Sequence, residues 1–182
     1  MNREEALNLL KQHIKNPKLV NHCIAVGAIM KALAKKFGED EEKWEVLGIL
    51  HDIDYEKTKD VPEKHGLLAR ELLEGKVDEE IIRGIERHNP MTGNVPETLM
   101  EKALVASDAV SGLIVATAFV MPGKTLQEVR VESLINKFKQ KDFARAVSRE
   151  NILRCEEIGL TLEEFLEISL NALKDVHEEL GL

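Results

Sequence analysis

The chain has little of what usually announces a function. It carries two cysteines, Cys23 and Cys155, in 182 residues. Two thiols do not make a disulfide framework, and neither sits in a Cys-x-x-Cys pair, which argues against a zinc–thiolate site. Cys23 falls in an apolar helical pattern and reads as a buried thiol. Aromatic residues amount to 4%, with one Trp and one Tyr, so no platform for stacking nucleic-acid bases is apparent. Positive charge is also short. The net charge of −8 argues against a global electrostatic grip on nucleic acid or an anionic membrane. Any anionic ligand must be met by a local positive site. No stretch approaches the roughly 20 apolar residues of a membrane span. The start, Met1-Asn2-Arg3-Glu4-Glu5, has no apolar signal segment, so the cytoplasm is the expected compartment. The length suits one domain over residues 1–182, with one core; the oligomeric state stays open.

What is present is helical periodicity almost throughout. Asn2 and Glu5 form a capping-box pattern ahead of a helix with Ala6, Leu7, Leu10 and Ile14 on one face. Asn16-Pro17 breaks it and opens a second helix to about Phe37, stopped by Gly38. A third runs from Asp40, turns Trp44, Leu47 and Leu50 inward, and ends at His51-Asp52. Residues 53–63 read as a loop broken by Asp60-Val61-Pro62. Helices are then expected from about Glu63 to Glu74, from Asp78 to His88, and from Pro96 to about Val120. Thr125-x-x-Glu128 and Thr161-x-x-Glu164 match further capping boxes, the second opening a helix with a stripe from Leu162 to Leu180. No strand, repeat or long linker stands out. The fold class is all-α: a compact multi-helix bundle with core about 18–120 and C-terminal helices over 121–182.

The chemistry starts from His51-Asp52, which ends the apolar run Val46-Leu47-Gly48-Ile49-Leu50. An imidazole and a carboxylate at such a place are costly unless something neutralises them. A metal ion does so. His22 lies mid-helix in apolar surroundings, and Asp108 follows the apolar stretch Ala103 to Ser107. Two histidines and two carboxylates make a mixed N/O set that does not choose sharply among Fe, Mn, Ni, Co, Mg and Zn. His65 and His88, at predicted helix ends, would add a second ion, with Asp52 as bridge. A water activated between two such cations serves phosphate-ester hydrolysis. Each residue alone also has a plain structural reading, and His13 and His177 take that reading, on polar helix faces.

Two groups of cations are candidate phosphate contacts. Lys57 and Lys59 follow the His-Asp pair closely. Lys137, Lys141, Arg145 and Arg149 are spaced by four and would lie near one face if the segment were continuously helical. A solvated basic face is the alternative.

The order His22, His51-Asp52, Asp108 in an all-helical chain resembles the HD superfamily of metal-dependent phosphohydrolases. His65 and His88 between them resemble its binuclear branches, such as the dinucleoside-tetraphosphate hydrolases and the HD-GYP cyclic-dinucleotide phosphodiesterases. The nearest likeness is to small stand-alone HD-type hydrolases. The resemblance implies that His22, His51, Asp52 and Asp108 hold one divalent metal, and that His65 and His88 with Asp52 hold a second. It implies an enzyme in which His51 and Asp52 are central to catalysis on a small phosphorylated metabolite, a nucleotide foremost. The chain departs from the family at Ile53-Asp54, where many relatives have Ile-Gly, and it lacks the HD-GYP motif. Asp54 is either an acid orienting a ligand histidine or a surface acid at a helix end. Two rival functions remain on the same residues: a mixed-valent di-iron oxygenase, and a non-catalytic metal- or nucleotide-binding module.

Overall fold

Local capping chemistry sets most helix boundaries in the computed structural model, which describes residues 1–182. The chain is built of α-helices and short 3-10 turns, with no strand. In order they are α1 (Arg3–His13), α2 (Pro17–Phe37), α3 (Glu41–Leu50), α4 (Tyr55–Thr58), α5 (Ala69–Leu73), α6 (Glu79–His88), α7 (Leu99–Val120), α8 (Val131–Lys139), α9 (Arg149–Leu153), α10 (Leu162–Asp175) and α11 (His177–Leu180). The Asn2/Glu5 and Thr161/Glu164 capping boxes both form. Asn16 caps α2 with Pro17 in the first turn, and Gly38 ends that helix at φ 72°. Asp40 caps α3.

Helices α2 and α3 form an antiparallel hairpin that crosses at two glycines. A Cβ on Gly48 would stand 2.7 Å from the Gly27 Cα, backbone against backbone. Only a missing side chain on both helices permits this approach. Helix α7 packs across α2, and α6, α8, α9 and α10 also lie against it. One apolar cluster, from Ala6 in α1 to Leu180 in α11, joins these layers. Cys23 and Cys155 are both buried free thiols in it.

Several boundaries differ from the sequence expectation. Helix α7 starts at Leu99 rather than Pro96, because Thr98 and Glu101 make a capping box of their own. Contrary to the sequence expectation that no stretch approaches a membrane span, it is long and apolar enough to cross a membrane by length and composition. With 61% of its apolar window buried inside the fold, it is the central helix of the core. Thr125 caps nothing; Glu128 instead accepts the Gly123 N–H at 3.0 Å, leaving one 3-10 turn. The loop after α3 contains the short helix α4. The helix expected from Glu63 is broken, since His65 is extended (ψ 126°) and Gly66 lies at φ 92°. The C-terminal stripe breaks at Val176, and Leu180 turns to accept the Asn21 amide at 3.2 Å.

The basic segment is not one helix. Helix α8 ends at Lys139, and Ala144 takes φ 47°. Arg149 folds back and donates to the carbonyls of Lys137, Phe138, Gln140, Phe143, Ala144 and Val147. Its charge therefore pins a turn. Lys137 lies 4.6 Å over the Phe143 ring. The four cations spaced by four residues do not share a helical face.

The glycine crossing makes a direct prediction. Gly48→Ala should destabilise the protein by about 3 kcal/mol, the upper range for overpacking a tight core. Denaturant unfolding would measure this as a lower midpoint at unchanged slope, and an unchanged midpoint would show that the crossing is loose.

Candidate metal centre

Four helices and two turns deliver six side chains to one place. His22 comes from α2, His51 from the C-cap of α3, His88 from the last position of α6 and Asp108 from the middle of α7. Asp52 follows His51 where the helix has ended, and His65 comes from the extended residue before Gly66. The α2–α3 crossing sets the first pair: His22 precedes Gly27 by five residues and His51 follows Gly48 by three. Their ring centroids are 5.1 Å apart.

Asp52 lies between two groups of ligands. Its Oδ1 is 3.0 Å from His65 Nε2, 3.4 Å from His51 Nε2 and 3.5 Å from His88 Nε2. Its Oδ2 is 3.7 Å from His22 Nε2. Asp108 Oδ1 approaches His22 Nε2 at 3.0 Å and His51 Nε2 at 3.8 Å. Donor atoms of His22, His51 and Asp108 converge within metal-binding reach, and so do those of His51, Asp52 and His88.

The other nitrogen of each ring decides what these contacts mean. His51 Nδ1–H donates to the Gly48 carbonyl at 2.8 Å, and His88 Nδ1–H donates to the Ile85 carbonyl at 2.6 Å. His65 Nδ1–H donates to Asp54 Oδ1 at 2.9 Å. Ser111 donates its hydroxyl to the Asp108 carbonyl at 2.8 Å, so its oxygen accepts from His22 Nδ1–H at 3.2 Å. With every Nδ1 donating, each neutral ring presents an Nε2 lone pair to the centre. His65 and His88 then face each other lone pair to lone pair at 3.0 Å. Such a set repels itself unless a cation or a proton sits within it. His51 Nε2 is fully buried with no hydrogen-bond partner at all. A divalent metal fits this donor set.

Electrostatics point the same way. Burial alone would drive the proton off His51, yet Asp52 and Asp108 hold its pKa up at about 9. Burial also opposes charge on His65, and Asp52 and Asp54 hold it at about 9. Asp52 and Asp108, despite burial that favours their neutral forms, are held below the usual carboxylate range by the surrounding imidazoles. Protons thus occupy the positions where a metal would reside. The centre is dry at His51 and Asp52 but opens at one side, where the His22 and Asp108 side chains are 26% and 38% exposed.

Asp54 is wholly buried and is no surface acid. It accepts from His65 Nδ1–H and from the Gly66 N–H at 2.8 Å, and so fixes the turn that carries His65. Asn89, at the break before Pro90, donates to the Pro62 and His65 carbonyls from the other side. Neither Asn89 nor Ser111 stands out in the sequence as part of the site. A hydroxyl three residues after Asp108, on the same helical face, was the available signal. The proposed phosphate contacts lie elsewhere. Lys57 lies near His13, whose pKa is lowered first by burial and then by the charges of Lys57, Lys76 and Lys15. Neither it nor Lys59, Lys137, Lys141 or Arg145 lines the cavities bordered by His22 and His88.

Comparison with known proteins places the chain in a family. A symmetrical bis(5'-nucleosyl)-tetraphosphatase of Bacillus subtilis is 31% identical over 134 residues, covering 60% of this chain and 69% of that protein. Its counterpart from Halalkalibacterium halodurans is 28% identical over the same coverage. Ribonuclease Y of Lawsonia intracellularis is 32% identical over 107 residues, 58% of this chain but only 20% of its own length. No solved structure matches significantly. The HD domain profile matches residues 19–113, a span that opens just before His22, closes just after Asp108 and encloses all six converging side chains: the chain belongs to the HD domain family.

Proposed function

We propose that this protein is a metal-dependent phosphohydrolase acting on a small phosphorylated metabolite, with nucleotides the first class to test. One observation carries the reading: four imidazoles with occupied Nδ1 positions turn their Nε2 lone pairs onto two carboxylates around one buried centre. In this reading His22, His51, Asp52 and Asp108 hold one divalent ion, and His65, His88 and Asp52 a second. When bound, such ions polarise a phosphoryl oxygen and lower the pKa of water.

The chain's own groups do the rest. Asp52 would serve both groups, since its Oδ1 faces His65, His51 and His88 and its Oδ2 faces His22. Gly48, Ile85, Asp54 and Ser111 hold the rings in one tautomer, so no reorientation is needed when charge develops. Buried apolar residues on both sides of His51, Leu50 and Ile53, exclude water from the back of the site. Entry is left to the side of His22 and Asp108. The tetraphosphatase relatives support a phosphoanhydride or phosphoester as the bond attacked.

Metal analysis of protein purified without chelator or His-tag is expected to give close to two ions per chain. His65→Ala or His88→Ala should lower this to about one. His51→Ala and Asp52→Ala should lose metal and lower phosphoester turnover together, by at least about a hundredfold. Full turnover without metal would overturn the reading. Fully metal-loaded protein whose mixed-valent iron activates oxygen, with no phosphoester turnover under manganese, would replace it by the oxygenase.

Asp54→Ala should weaken metal affinity by about 10–100-fold, the usual effect of removing the partner of a ligand histidine. Competition with a chelator measures this, and unchanged affinity would return Asp54 to a purely structural role.

The pH dependence has opposite signs with and without metal. His51 and His65, raised from 6.5 to about 9 in the folded chain, keep protons that the unfolded chain has released. Metal-free protein should therefore lose stability as pH rises from 6.5 to about 9. Metal requires deprotonated imidazoles, so the stabilisation it adds should grow over the same window. Thermal unfolding with and without chelator would show the two curves diverging; parallel curves would remove the metal from these histidines.

A further inference from the structure

A cavity of about 270 Å³ lies beside the cluster, between α2, α7 and the segment from Leu180 to Leu182. It borders His22, on the side where the centre is open: the His22 and Asp108 side chains are 26% and 38% exposed. Away from His22 the wall is mostly apolar, with Val115 and Phe119 from α7 facing Leu180 and Leu182.

One helical face joins this cavity to the centre. Asp108, Ser111, Val115 and Phe119 follow one another at intervals of three, four and four residues, along one side of α7. Asp108 belongs to the cluster, and the other three line the cavity. Ser111 and Phe119 are eight residues apart, which is about 12 Å of helix rise. A ligand that reaches from the cluster to Phe119 must therefore be elongated. A short one ends at Ser111 or Val115.

The polar groups of the lining are largely engaged. The Ser111 hydroxyl donates to the Asp108 carbonyl and accepts from His22. The Asn21 amide donates to the Leu180 carbonyl at 3.2 Å, which ties that wall to α2. Lys18 is exposed. A sugar ring lodged here would turn hydroxyls onto Val115, Leu180 and Leu182 without partners, a costly arrangement. Phe119, by contrast, is 55% exposed, and its ring is a surface that a carbon chain would cover.

We propose that this groove holds the carbon part of the substrate, and that this part is an extended apolar chain lying along α7 with its phosphoryl group at the cluster. This rests on the phosphohydrolase reading above, and directs it from nucleotides toward amphiphilic phosphate esters.

Calorimetric titration of methyl-, butyl- and octylphosphonate into the protein with its purified metal content tests the proposal, at concentrations below micelle formation. None of these probes has an ester bond to lose. Affinity should rise by about twofold per methylene, less than the roughly fourfold of full burial, because Phe119 leaves the outer end open to water. Phe119→Ala, at an exposed position, should weaken octylphosphonate by about threefold and leave the two shorter probes unchanged. Octanol should bind at least about tenfold more weakly than octylphosphonate, since it brings no anion to the cluster. Affinity independent of chain length would overturn the proposal. So would full octylphosphonate affinity in Phe119→Ala, an equal loss in Met91→Ala, which changes an exposed apolar residue outside the cavity, or octanol that binds as tightly as octylphosphonate. If affinity follows chain length and no phosphate ester is hydrolysed, the groove stands and the hydrolase reading falls. If esters are hydrolysed and the phosphonates bind alike whatever their length, the reverse holds.

Discussion

The contact between Gly27 and Gly48 is the constraint on which the centre depends. It allows α2 and α3 to touch backbone to backbone, which brings His22 and His51 within 5.1 Å. Gly48 acts twice, since its carbonyl also accepts the His51 Nδ1–H. The same residue that permits the close approach therefore fixes the tautomer of the ring that the approach delivers. A side chain at position 48 would separate the helices and move the His51 ring with them. Packing and site chemistry are coupled here through one missing Cβ.

The other half of the centre depends on Asp54, and local structure yields to it. Residues 63–74 have the composition of a helix, yet the chain breaks at His65-Gly66. Asp54 takes the Gly66 N–H and the His65 ring N–H together. A helix through this segment would satisfy the Gly66 N–H internally and leave a wholly buried carboxylate unpaired. An uncompensated buried charge costs several kcal/mol, whereas one broken turn of an exposed helix costs about one or two. The buried acid prevails. Glycine at 66 makes this cheaper still, because φ 92° is closed to other residues without strain.

This comparison explains what was legible in the sequence. Boundaries set by neighbours in the chain were readable: Asn2 with Glu5, Asn16-Pro17, Gly38 and Thr161 with Glu164 act within four residues of themselves. His22, His51, Asp52 and Asp108 were readable because each appeared where an apolar pattern made it conspicuous, whereas His65 and His88 were read from predicted helix ends and from the family resemblance. The failures share a cause. The break at His65, the idle Thr125, the turn folded around Arg149 and the partner role of Ser111 each depend on an atom that local spacing does not predict. Glu128 illustrates the limit. Its sequence position matches a capping box, but the Gly123 N–H reaches it first. The basic segment misled for the same reason: four cations at a helical spacing read as one surface, while Arg149 binds six carbonyls in place of any ligand.

Charge sets a further condition on the site. The chain is acidic overall, with a net charge of −8, and the centre itself contains Asp52, Asp54 and Asp108. Arg87, the cation nearest to His88 in sequence, is matched by Glu97 and Glu101. An anionic substrate approaching the metal-free site would meet imidazoles that are charged only by borrowed protons, surrounded by carboxylates. On the reading proposed above, two divalent ions would reverse that balance, adding four positive charges against three carboxylates around the buried His51 and Asp52 side chains. Coulomb attraction between close charges is several-fold stronger there than at a solvated surface. On that reading the ions would do more than supply a reactive centre, since their occupancy would also decide whether a phosphate is attracted at all.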